Sequence, residues 1–104
     1  MIVLIDNYVD DTVLKLFLKR KERVVITIFT RQATPQLALE ADKFNRQYGS
    51  LILRQLTTCH DRFLIIDGKV LYHIGASLKD LGKRWFAFSR IDTLAPAVLQ
   101  RLKE

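Results

Sequence analysis

The order of apolar segments predicts an α/β fold, a mixed β-sheet flanked by helices, built as one domain over residues 1–104. Two observations carry this expectation. Short β-branched runs alternate with amphipathic stretches along the first half of the chain, and an Asp-Gly pair then separates two further apolar runs. The first pattern belongs to a sheet covered by helices, the second to an antiparallel hairpin joined to it.

Ile2 to Ile5 reads as the first strand. Asp10-Asp11-Thr12 supplies the acidic, capping start of a helix reaching about Lys19, where Lys-Arg-Lys complements the negative end of the helix dipole. Val24 to Phe29 is a nearly continuous apolar, β-branched run, as expected of a strand buried on both faces. Thr34 as cap and Pro35 at the first helical position open the second helix. Leu37, Ala41, Phe44 and Tyr48 share one face of it, and Gly49 stops it. Leu51-Ile52-Leu53 begins a third strand. Phe63 to Ile66 and Val70 to Ile74 flank Asp67-Gly68-Lys69 as a hairpin. Trp85 to Phe88 reads as the last strand. Thr93 is the expected cap of a final helix, with Pro96 in its first turn and Leu94, Val98 and Leu102 toward the core. Asp6-Asn7 and Thr30-Arg31 fall at the carboxyl ends of strands, where ligands gather in such sheets.

Composition narrows the function. At 49% hydrophobic residues the chain can bury a core. No apolar run approaches the roughly 18 residues that span a bilayer. Met1 to Ile5 meets Asp6 at once and lacks the basic start of a signal peptide, so a membrane partner is not expected. The single cysteine, Cys59, excludes an internal disulfide and a cysteine-rich metal site, and a reducing, cytoplasmic setting fits it. Seventeen Lys and Arg against eleven Asp and Glu leave a net charge of +6 and a pI near 9.8. That excess favours a polyanionic partner, above all nucleic acid, because each neutralised phosphate releases condensed counterions.

The candidate chemistry lies in His60-x-Arg62, four residues, Asp67, and then Gly75-Ala76-Ser77. Residues two apart in an extended segment share a face, so His60 and Arg62 are expected to project together. An imidazole beside a fixed cation suits attack on a phosphodiester, the ring nitrogen meeting phosphorus while the cation stabilises the equatorial oxygens. This spacing resembles the phospholipase D superfamily motif, which runs His-x-Lys, four residues, Asp, then about six residues to Gly-Ser. The preceding strand-helix repeats extend the likeness over the whole chain. His60 through Ser89 is also similar to the C-terminal portion of certain phage-related and mobile-element bacterial proteins. The resemblance implies a phospholipase D-like sandwich and hydrolysis through a phosphohistidine, without metal or cofactor. It also implies a second histidine that protonates the leaving oxygen. One copy of the motif is present, so a complete site needs a homodimer that brings two His60 rings to one phosphate. On that reading His60 is the nucleophile, His60 of the second copy the general acid, Arg62 the phosphate clamp and Ser77 an accessory donor. Asp67 completes the motif, although Asp before Gly is also explained by turn chemistry alone.

Two departures bear on turnover. Arg62 stands where the family has Lys, and a planar fork is not a conservative replacement for a point charge, though it can clamp a phosphate bidentately. Seven residues separate Asp67 from Gly75, and Ala76 occupies the usual Ser position. Ser77 takes that role if the strand carries a one-residue bulge. The family's following Asn has no match in Leu78 or Lys79.

Other residues have two readings each. Lys79, Lys83 and Arg84 flank a helical turn over Leu78 to Gly82, either as phosphate ligands or as a solvated basic surface. Trp85, Phe86 and Phe88 suit base stacking, or a core or dimer interface. His73 is structural, or lies near the pocket because it precedes Gly75. Lys19, Arg20, Lys21 and Arg23 sit at a helix end and need no ligand. Cys59 reads as a small buried residue. Three functions follow in order: a dimeric phosphodiesterase acting on nucleic acid, the same fold binding DNA or protein without turnover, and lipid phosphodiester hydrolysis. The last ranks lowest for want of an amphipathic membrane-binding segment.

Overall fold

Strand-helix alternation with short connections forces parallel neighbours, and the tight Asp-Gly turn forces an antiparallel one. The computed structural model, which describes residues 1–19, 23–80, 83, 85 and 87–103, has both. Its elements are β1 (Ile2–Ile5), α1 (Asp11–Leu16), β2 (Ile26–Thr30), α2 (Pro35–Gln47), β3 (Leu51–Gln55), β4 (Phe63–Ile66), β5 (Val70–Ile74), β6 (Phe88–Arg90) and α3 (Ala95–Leu102). One six-stranded sheet runs in the order β3-β2-β1-β4-β5-β6. β1, β2 and β3 are parallel, with Leu4 opposite Ile28 and Ile28 opposite Leu53. β4, β5 and β6 add on antiparallel, with Leu4 opposite Leu64 and Leu64 opposite Tyr72.

The pleat divides the core in two. Leu4, Ile26, Ile28 and Leu51 pack under α1 and α2 against Val13, Leu14, Leu37, Ala41 and Phe44. Val3, Ile5, Ile65 and Leu71 pack under α3 against Ala95, Val98, Leu99 and Leu102. The fold is therefore mixed α/β with helices on both faces of the sheet. β1 is buried on both sides, which explains its unbroken apolar sequence. Because β4 follows the same pleat, Leu64 faces α1 and α2 while Phe63 and Ile65 face α3.

Local expectations hold where side chains cap or turn the chain. Asp10 accepts from Thr12 N–H at the start of α1, and Thr34 Oγ1 accepts from Leu37 N–H at the start of α2. Gly49 ends α2 at φ +74°. Asp67 and Gly68 both take positive φ, 54° and 68°, in the three-residue connection 67–69, which Lys69 N–H closes on the Ile66 carbonyl at 3.1 Å.

Five expectations shift. β2 begins at Ile26 rather than Val24, and Tyr48 is half exposed as the cap of α2. The last strand is Phe88–Arg90, not Trp85 to Phe88: its pairing with β5 runs from Tyr72–Arg90 to Ile74–Phe88 and stops where β5 ends. Phe86 lies outside the described residues, as do Arg20, Lys21 and Arg84. A 3-10 turn over Asp92–Leu94 precedes α3, so Thr93 lies inside that turn and does not cap the helix. Leu94 is exposed in consequence, while Ala95 and Leu99 turn inward beside Val98 and Leu102.

Asp92 ties that turn to the sheet, accepting from Leu71 N–H at 3.1 Å and from Arg90 Nε at 3.0 Å. The hydrogen bond from Arg90, and next that from Leu71 N–H, hold its carboxyl below the usual carboxylate range. A lowered pKa contributes stability that is complete above the ordinary range and is lost as pH falls through the lowered value. Hydrogen-exchange protection at Leu71 should therefore fall on acidification, and Asp92→Asn should remove that pH dependence. An equal pH response in parent and variant would contradict this role.

Candidate functional site

β1 delivers Asp6 to the carboxyl end of the parallel strands, where the carboxylate is fully buried. Its Oδ1 accepts from Tyr8 N–H at 3.1 Å, and its Oδ2 accepts from Ser77 Oγ and Leu78 N–H, both at 2.9 Å. Ser77 Oγ also reaches the Tyr8 carbonyl at 2.7 Å. Asp6 thus binds the loop after β5 to the loop after β1. An acidic residue directly after an apolar strand was the signal for this anchor, and strand-end position alone did not give it a role.

Arg62 lies just before β4 at the same end of the sheet. Its Nε donates to the Ile74 carbonyl at 3.3 Å and its Nη2 to the Gly75 carbonyl at 3.0 Å. The planar fork is fixed on the end of β5, with its remaining N–H groups left for a ligand. Arg62, Tyr8, Gly75, Ala76, Ser77, Lys79 and Asp80 line an open cleft of about 380 Å³. A larger cavity of about 470 Å³ on the α3 side is lined mostly by apolar residues such as Ile5, Leu56, Phe63 and Leu102, with Arg101 its one cation among the described residues.

The segment leading into Arg62 is pinned residue by residue. Asn7 Nδ2 donates to the Cys59 carbonyl at 3.0 Å, and Cys59 Sγ to the Asp61 carbonyl at 3.4 Å. His73 Nε2 lies 3.3 Å from Asp61 Oδ1, with its ring tilted against Phe63 at 5.4 Å between centroids. This is the structural reading of His73. The pinning bends the chain at Asp61, so His60 is not held on the face of Arg62 by strand geometry. Its ring is exposed at the same end of the sheet, makes no hydrogen bond or ion pair among the described residues, and does not line the cleft.

The sequence matches no protein-family model and no curated protein.

The structure thus brings Arg62, Lys79 and Ser77 together, places His60 at the same end of the sheet, and leaves Asp67 apart. Asp67 occupies the β4–β5 turn at the opposite end of the sheet, 2.9 Å from the Met1 ammonium, whose hydrogen bond and charge lower its pKa. Ser77 is buried and its hydroxyl is engaged by Asp6 and Tyr8. It reaches the cleft through the loop after β5 and not through a bulge, since β5 and β6 pair in unbroken step from Tyr72–Arg90 to Ile74–Phe88. Lys79 sits in a 3-10 turn, Leu78–Asp80, whose Leu78 and Asp80 N–H groups are taken by Asp6 and the Ser77 carbonyl. The turn's cation, more than its amides, is therefore what a phosphate would meet. Lys83 is exposed and its N–H donates to the Asp80 carbonyl at 2.9 Å. Among the described residues no cluster of three or more His, Cys, Asp or Glu could hold a metal ion, and no helix is long and apolar enough to cross a membrane.

Gly75 sets the shape of the cleft wall. A Cβ there would stand 2.7 Å from the Ala87 carbonyl oxygen, which already accepts from Gly75 N–H. Backbone must move to admit a methyl group, so Gly75→Ala should destabilise by about 1–3 kcal/mol in denaturant titration. An unchanged midpoint would show that the loop yields without cost.

Proposed function

We propose that the domain handles phosphodiesters of nucleic acid at the Arg62–Lys79 cleft, in the manner of single-motif phospholipase D-like proteins, as a metal-independent phosphodiesterase completed by a second copy of the chain. The observation that carries this reading is the anchoring of Arg62: two backbone carbonyls fix its fork beside Lys79 while part of the guanidinium stays open to the cleft. A cation fixed in advance loses little entropy on meeting a phosphate and stabilises charge as it develops. The net charge of +6 supplies the long-range attraction to a polyanion.

In this mechanism a ring nitrogen of His60 forms a bond to phosphorus as the bond to the leaving oxygen breaks. His60 of the second copy donates the proton that oxygen needs. Arg62 and Lys79 neutralise the non-bridging oxygens. Water then attacks the phosphohistidine, gives up its proton to the second imidazole, and releases the first. Because His60 is exposed and lies outside the cleft lining, the second copy must also orient it. A reducing, cytoplasmic setting suits a chain with a free thiol.

A second reading, nucleic-acid binding without turnover, is favoured by one specific feature: the Ser77 hydroxyl is spent on Asp6 and Tyr8. Incubation of the protein with single- and double-stranded DNA in EDTA separates the two. Cleavage that His60→Ala abolishes supports the phosphodiesterase. Binding by the parent without cleavage supports the second reading, and absence of both cleavage and binding would eliminate each.

A further inference from the structure

Tryptophan has more to gain from burial than almost any other side chain, yet the only tryptophan of this chain, Trp85, is fully exposed. Its position makes that exposure informative. Two residues on, the Ala87 carbonyl accepts from Gly75 N–H at 2.8 Å, and Gly75 in turn lines the cleft and receives the Arg62 Nη2. Two residues of chain reach at most about 7 Å. The Cα of Trp85 therefore lies within about 7 Å of that of Ala87, the residue hydrogen-bonded to the cleft wall. Lys83, two residues before it in the chain, is exposed, Lys79 lines the cleft, and a second exposed aromatic, Phe88, three residues on, meets Tyr72 edge-on at 5.8 Å.

A cleft lined by Arg62 and Lys79, with an uncovered indole a short length of chain from its wall, has the two parts needed to hold a flexible strand, cations for the backbone and a flat apolar face for a base. A duplex keeps its bases stacked on one another and has no free face to offer. A protein partner would account for the apolar surface but leaves the adjoining lysines and arginine without complementary charge. We propose that the site takes single-stranded nucleic acid and that Trp85 stacks on a base of the strand whose phosphate meets Arg62 and Lys79. This rests on the phosphodiester-binding reading above and adds strand preference to it.

The single indole is its own probe. An oligothymidylate of about a dozen nucleotides, near the size such sites cover, should quench Trp85 fluorescence in the parent protein. Anisotropy of an end-labelled copy gives affinity independently of the indole. Trp85→Ala should weaken the single strand about tenfold, within the range of stacking contributions, and shift a duplex of matched sequence by less than about twofold. Trp85→Tyr should recover most of the loss. Single-strand binding unchanged in Trp85→Ala, with no quenching in the parent, would overturn the stacking role and leave the phosphodiester reading standing. Failure of the parent to bind either strand by anisotropy would remove both. Sedimentation equilibrium of parent and variant completes the test: equal association states support the proposal. Loss of a dimer in Trp85→Ala, with single strand and duplex weakened alike, would make Trp85 a contact between copies and overturn it.

Discussion

Asp6→Ala is expected to cost the domain about 3–5 kcal/mol, because it strips the partner from Leu78 N–H and Tyr8 N–H and leaves Ser77 Oγ with the Tyr8 carbonyl alone. Hydrogen bonds to an ionised acceptor are about twice as strong as neutral ones, and a buried donor left unpaired costs its full desolvation. Against a total stability of roughly 5–15 kcal/mol for a small domain, the loss is large. Asp6→Asn keeps the shape but turns an amide group toward donors, so it should recover only part of the loss. Urea denaturation of the three proteins measures both effects. The change reaches beyond stability, since the loop freed by Asp6 carries Lys79 and forms one wall of the cleft. Nucleic-acid affinity should weaken with it even where the protein remains folded. A variant as stable as the parent would mean that water replaces the carboxylate and that Asp6 is not the anchor described.

Arg62→Ala should weaken binding of single-stranded DNA by about 10- to 100-fold at moderate salt, as expected for loss of one charge-assisted contact. The slope of log affinity against log salt should also drop by about one ion. Arg62→Lys provides the sharper comparison, because it introduces the residue found in the motif that the sequence resembles. A lysine keeps the charge and cannot fork onto both the Ile74 and Gly75 carbonyls. The salt slope should therefore stay close to that of the parent, while affinity falls by less than in Arg62→Ala, the end of β5 loosens and thermal stability drops. Equal affinity in Arg62→Ala and the parent would place the phosphate elsewhere on the molecule. These measurements also separate charge from positioning. A lysine that binds as tightly without the carbonyl anchors would show that the fork is structural and that charge alone meets the phosphate.

The fold was legible wherever local chemistry and tertiary demand agreed. The apolar run of β1, the Thr34-Pro35 start of α2 and the Asp67-Gly68 turn each carry their own physical reason, and each stands where the sequence put it. The last strand and the last helix were misplaced because their limits are set from a distance. β6 starts where β5 can still pair with it, and Thr93 lies in a turn held down by Asp92 on Leu71. The site was legible as spacing and not as geometry. Motif spacing brought out His60 and Arg62, but a bend at Asp61, held by Cys59 and His73, governs how they stand to one another. Asp6 and Asp61 escaped for a related reason. A carboxylate's role depends on which donors the fold gathers around it, and apart from Tyr8 N–H beside Asp6 those donors lie 12 to 72 residues away in sequence.

The central claim is that phosphate is met at the carboxyl end of β1 and the end of β5, and the most direct measurement is an amide and imidazole NMR titration of the labelled protein with oligothymidylate. Shifts should gather at Tyr8, Arg62, Gly75, Ala76 and Lys79 and in the His60 ring, with Asp67 and Lys69 at the far end of the sheet unmoved. A footprint centred on the β4–β5 turn or on α3, with the Arg62 cleft silent, would contradict the account.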